Sequence, residues 1–122
     1  MSRTALDDPE DDVGREGYPG ELEQMLLLAI MRLGADAYGV RIMEELETRV
    51  GRRVSRGSVY VTLDRMREKG WIESESAPAG SERGGRPRRV ATVTPEGIAE
   101  LSRSREALLT LWDGLEHALD AS

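Results

Sequence analysis

Residues 37–74 read AYGVRIMEELETRVGRRVSRGSVYVTLDRMREKGWIES, and this stretch decides the fold. Its first half, about Gly39 to Val50, gathers Ile42, Met43 and Leu46 on one helical face and shows Arg41, Glu44, Glu45 and Glu47 on the other. Gly51 closes that helix. Ser55 then stands at an N-cap position, where its hydroxyl can accept a free backbone N–H of the next turn. The following helix runs to about Lys69 with Val59, Leu63 and Met66 on its inner face, and Gly70 stops it. Two such helices in succession predict a helix-turn-helix, in which the first crosses the DNA backbone and the second enters the major groove.

Upstream, Leu22, Met25, Leu26, Ala29, Ile30 and Leu33 recur at helical spacing and predict a strongly apolar helix over 21–33, ended by Gly34. Residues 1–19 hold six acids, two prolines and little apolar content, and read as a disordered acidic tail. Downstream, WIESES and the β-branched RRVATVT predict two strands. Between them APAGSERGGRPR reads as the Gly/Pro/Arg tip of a hairpin. Thr94-Pro95 opens a last helix that is expected to run nearly to the end, with Thr94 as N-cap and Pro95 at the first position. The expected fold is therefore mainly α (α+β): a winged helix-turn-helix over 20–94 with a two-stranded β wing, and a long C-terminal dimerisation helix over 95–122.

Composition narrows the function. The 122 residues include no Cys and one His, so thiolate chemistry and His-based metal sites are excluded, and no cofactor is expected. An enzyme would have to work with carboxylates alone, so no catalytic residue is assigned. The longest apolar run, residues 25–31, is far too short to span a bilayer, and no leader opens the chain, which points to the cytoplasm. The net charge is −6, but it is unevenly spread. Residues 51–93 carry ten basic and five acidic side chains, a net of +5, against seven and eighteen elsewhere, a net of −11. Phosphate binding depends on that local field and not on the total.

With Val59, Leu63 and Met66 turned inward, Gly57, Ser58, Val61 and Arg65 face outward, with Tyr60, Arg56 and Arg67 on a flank. Ser58 and Arg65 can hydrogen-bond base edges, Val61 can touch a thymine methyl, and Tyr60 can reach a phosphate. Arg52, Arg53 and Arg56 are expected on phosphates, and Asp64 orients a neighbouring Arg. In the wing, an Arg beside Gly can enter a narrow A·T minor groove, although Arg83 reads as solvated loop. The competing reading is a winged-helix module that binds protein without binding DNA. Four arginines among Gly and Pro speak against it.

The last helix repeats Ile98, Leu101, Arg105, Leu108, Trp112, Leu115 and Leu119 at alternating steps of three and four, a heptad seam about 33 Å long. Little of its own domain is left to cover such a seam, so a second copy is the expected partner. Arg105 interrupts the apolar stripe and can fix register. Trp112 has two readings, the core of the dimer or the stacking face of a slot for a small aromatic effector. His117 reads as a surface residue.

Residues 37–74, followed by GGRPRRVATVTPEGIAEL at 84–101, resemble the PadR-type winged-helix transcriptional regulators of bacteria, in the branch with a single C-terminal helix. The Tyr38-Gly39 turn, the S-x-G-S-V-Y opening, LDRM, KGWI, GGRP and TPEG occur in the family's order. The resemblance implies a homodimer in the cytoplasm, no enzymatic activity, and DNA contacts from Ser58 and Tyr60 on the helix and from Arg86 and Arg88 on the wing. The chain departs from the pattern at Val90-Ala91, where the family often carries an aromatic pair, and in its acidic tail. The resulting expectation is a repressor acting as a homodimer on an inverted-repeat operator.

Overall fold

Helix α1 (Glu21–Leu33) forms where the apolar spacing predicts it and buries Leu26, Leu27, Ala29 and Ile30. Leu22, Met25 and Leu33 are only partly covered. Leu27 joins the core because α1 is packed on several sides. It touches the next two helices, the second strand and the long C-terminal helix. The computed structural model describes residues 17–77 and 88–120. The acidic segment 1–16 and the wing tip with Arg83 and Arg86 lie outside the described residues, as does the side chain of Leu119.

A single 3-10 turn, Gly34–Asp36, leads to α2 (Gly39–Val50), which buries Ile42 and Leu46 and leaves Met43 half-covered. Helix α3 (Arg56–Glu68) starts at Ser55, whose Oγ accepts the Ser58 N–H at 3.1 Å. That is the cap the sequence predicts, and it satisfies one of the donors left free at a helix start. Val59, Thr62 and Met66 form the buried face of α3, with Leu63 at its edge.

The wing consists of β1 (Ile72–Ala77) and β2 (Arg88–Val93), paired antiparallel with Ile72 opposite Val93 and Ala77 opposite Arg88. Trp71, expected in the first strand, precedes it and is buried. Its N–H donates to the Met66 carbonyl and its own carbonyl accepts the Thr94 N–H, each at 2.9 Å. The Ala91 N–H donates to the Ala37 carbonyl at 2.9 Å, which stitches the wing to the turn before α2. At the family's aromatic position, Ala91 is buried and Val90 half-buried. A hollow of about 680 Å³ lies over them, between the end of α1 and β2.

Helix α4 (Pro95–Trp112) is capped by Thr94, whose Oγ1 accepts the Gly97 N–H at 3.1 Å and donates to the Gly70 carbonyl at 2.6 Å. The expectation of one unbroken final helix is corrected here. The chain leaves the helix at Asp113, Gly114 adopts a left-handed φ of 86°, and a separate short helix, α5 (Glu116–Asp120), follows. Gly adopts that conformation without steric cost, and neither Asp nor Gly favours a helix interior. Leu115 and Leu119 are thereby set apart from the seam on α4. Residues 17–19, assigned to the tail, pack on the domain instead. Pro19 is buried, and Arg103 stacks over the Tyr18 ring at 4.8 Å.

Candidate nucleic-acid interface

The exposed surface of α3 begins at its capped N-terminus with Arg56, Gly57, Ser58, Tyr60 and Val61, all open to solvent. Val61 is 57 % exposed and adds nothing to the chain's own core. Tyr60 leans back onto α2: a Cβ built on Gly39 would overlap its hydroxyl and ring. Gly39 thus makes room for Tyr60, and the phenol sits beside the start of α2, still 42 % exposed.

The basic side chains are not bare. Arg52 Nη1 lies 3.1 Å from Glu21 Oε1, Arg53 Nε 3.2 Å from Glu47 Oε2, and Arg67 Nη2 3.2 Å from Asp64 Oδ1. Asp64 therefore orients an arginine, as expected of it. Arg65 Nη1 is 3.9 Å and Lys69 Nζ 2.9 Å from the same atom, Glu23 Oε2. Five of the six basic residues between Arg52 and Lys69 face a carboxylate, and Arg56 is the exception among the described residues. Exposed pairs such as Arg53–Glu47 contribute little to stability, so a phosphate can replace the carboxylate at small cost. Glu23 differs, because it is only 7 % exposed.

In the wing, Arg88 is half-buried, with its guanidinium 4.4 Å above the Tyr38 ring. That stacking anchors the base of the hairpin to the turn before α2 and is worth roughly 1 kcal/mol. Elsewhere on the surface, the hydrogen bonds that Arg41 and Arg103 donate to the carboxylates of Glu44 and Glu100 hold the two guanidinium groups above their ordinary pKa. Both stay charged at any working pH.

Helix α4 packs on the domain through Gly97, Leu101 and Ser104. Its other seam residues point away: Ile98, Arg105, Leu108 and Trp112 are exposed, Leu108 by 51 %. Together with Leu28 and Met31 of α1 they line a groove of about 510 Å³ whose polar contributors include Gln24, Ser102 and Arg105. Leu115, on the far side of the break, is also exposed. Two features escaped the sequence reading. Glu23 carried a readable signal, since Glu at the third position of a helix is half of a capping box. The Arg88–Tyr38 stack had none, because it joins residues fifty positions apart by tertiary packing alone. Among the described residues no cluster of His, Asp or Glu could hold a metal ion.

A family model described as the transcriptional regulator PadR-like family matches residues 27–103. Transcriptional regulator Rv3488 of Mycobacterium tuberculosis (strain ATCC 25618 / H37Rv) is 40% identical over 83 residues, which is 66% of this chain and 73% of that protein. A PadR family transcription regulator from hypervirulent Clostridium difficile R20291 superposes with a TM-score of 0.64 at 22% identity, covering 84% of this chain and 97% of that one. For the PadR family transcriptional regulator of Eggerthella lenta DSM 2243 the TM-score is 0.60 at 24% identity, over 97% and 98% of the two chains. At these identities the two solved structures bear on the fold alone.

Proposed function

This chain belongs to the PadR-like family of transcriptional regulators, and from that premise we propose that it is a cytoplasmic homodimer that binds an inverted-repeat DNA operator and represses transcription. The observation that carries the reading is the capped, outward-facing start of α3, where Arg56, Gly57, Ser58 and Val61 stand free of the core. Ser58 and Arg65 are assigned to base edges, Val61 to a thymine methyl, and Tyr60 to a phosphate. Arg52, Arg53 and Arg56 are assigned to backbone phosphates, and Arg86 and Arg88 to the wing's contact with the minor groove. Repression needs nothing beyond occupancy of the operator, since a bound dimer excludes polymerase by volume.

Two copies pair along the exposed apolar stripe of α4, with Ile98, Leu108 and Trp112 meeting their counterparts. Arg105 lies on the same stripe, whereas Leu101 packs on its own domain and Leu115 stands beyond the break after Trp112. The groove between α1 and α4 is where a small planar aromatic effector would lie, stacked on Trp112 with Arg105 and Gln24 as polar partners. Quenching of Trp112 fluorescence by a planar cationic dye, read in a Trp71→Phe background, tests that slot. No quenching would leave Trp112 to the dimer core alone. No helix among the described residues is long and apolar enough to cross a membrane.

The test of the interface separates positioning from reading. Arg56→Ala is expected to weaken operator and random DNA alike and to lower the salt slope by about one unit. Arg65→Ala is expected to cost about 1–3 kcal/mol on the operator and much less on random DNA. Fluorescence anisotropy against salt concentration reads both. Equal losses for Arg65→Ala on the two DNAs would reduce Arg65 to a phosphate contact.

A further inference from the structure

Glu23 is the sole buried charged residue among the described ones. It sits in the first turn of α1, and its Oε1 accepts the Gly20 N–H at 2.9 Å. Its Oε2 accepts from Lys69 Nζ at 2.9 Å, and Arg65 Nη1 stands 3.9 Å from the same oxygen. Lys69 and Arg65 are four positions apart and share one flank of α3. The two cations differ in exposure. The Lys69 side chain is 18 % exposed and its ammonium lies 4.5 Å over the Trp71 ring, so it is enclosed by the protein. The Arg65 side chain is 52 % exposed and can be reached from outside. A carboxylate tied to a backbone N–H and to an enclosed Lys cannot follow a moving arginine. It acts as a fixed negative point beneath Arg65.

We propose that Glu23 is a positioning residue for DNA recognition, which holds Arg65 in one orientation on α3 and partly neutralises it toward any phosphate that does not match that orientation. The inference rests on the reading of α3 as the DNA-contacting helix. Its physical content is that an ordered side chain loses less freedom on binding, while a half-neutralised one is a poorer general attractor of phosphate. Discrimination between operator and other DNA therefore depends on a residue that touches neither. Glu23→Gln keeps the shape and removes the charge. It frees Arg65 to act as a mobile, full cation.

The experiment is anisotropy titration of a duplex taken from the protein's own footprint, and of its scrambled counterpart, over a range of salt concentrations. The full chain is compared with Glu23→Gln, Arg65→Ala and the double variant, and circular dichroism checks that each is folded. Glu23→Gln is expected to bind the scrambled duplex about threefold to tenfold more tightly, with a salt slope steeper by up to about one unit. Its preference for the operator falls, and adding Arg65→Ala removes the gain. A merely structural role would weaken both duplexes together and leave the slope unchanged. An unchanged slope and affinity, or a gain that survives Arg65→Ala, would overturn the proposal. If Glu23→Gln does not fold, Glu23→Asp draws the charge back from Arg65 and is expected to give a smaller gain of the same sign. No gain there would overturn it as well. Binding of neither duplex by the unaltered chain would remove the α3 reading and this inference with it. An effect of Arg65→Ala without one of Glu23→Gln would remove the inference alone.

Discussion

Leu108→Glu is expected to convert the protein to a monomer at micromolar concentration and to weaken operator binding by about 10²–10⁴-fold. Leu108 is half exposed on α4 and contributes little to the chain's own core, so the variant should fold with its helix content intact. A charge placed in an apolar seam must be desolvated when two copies meet, and that cost opposes pairing. Each monomer would still carry a complete α3 and wing. The loss on DNA would be the loss of the second, tethered half-site, and the salt slope should fall by about half along with the number of phosphate contacts. Analytical ultracentrifugation and anisotropy read the two effects. A dimer that persists, or a monomer that keeps full affinity, would contradict the assignment of the seam.

Gly97→Ala is expected to destabilise the fold by about 3 kcal/mol, with a fall in Tm of about 10 °C or more. In most helices the same change is favourable by up to about 1 kcal/mol, so the sign is diagnostic. Here a Cβ on Gly97 would overlap the Trp71 carbonyl oxygen and come within 2.8 Å of Val93 Cγ1. That carbonyl is fixed, because it accepts the Thr94 N–H at 2.9 Å while Trp71 itself is buried. The obstacle is backbone, not the end of a flexible side chain, so relief requires α4 to lift away from the wing. In the proposed dimer, which pairs along α4, lifting that helix would also change the angle between the two α3 helices. Thermal unfolding followed by circular dichroism gives the answer, and a raised Tm would contradict the close packing.

Most of the architecture could be read from local chemistry. Ser55 and Thr94 stand where the structure uses them as caps, and Gly34, Gly51 and Gly70 end the helices they were expected to end. Such features depend on a few neighbouring residues, so a linear sequence contains them. The break in the last helix was missed for a definite reason. A heptad count follows side chains and passes through Asp113-Gly114 without registering that the backbone turns there. The electrostatic state of the interface was not readable either. Counting charges gives a net +5 over residues 51–93 but does not say that Glu21, Glu23 and Glu47 reach back to Arg52, Arg65 and Arg53. Those acids lie outside the basic segment: Glu21 and Glu23 meet it through the packing of α1, and Glu47 meets it across the turn that ends α2. The face of α4 turned toward its own domain was likewise ambiguous, since Ser104 and not a larger apolar residue is what lies buried there.

In the proposed complex two copies present two α3 helices to one face of duplex DNA, related by a dyad. Hydroxyl-radical footprinting of the purified full chain on the DNA immediately upstream of its own gene shows whether that arrangement forms. The expected result is a protected inverted repeat whose half-site centres lie about 10 bp apart, or a multiple of that. Flanking protection in the minor groove is expected where the wings reach it. Protection without dyad symmetry, or none at a salt concentration where random DNA is still bound, would contradict it.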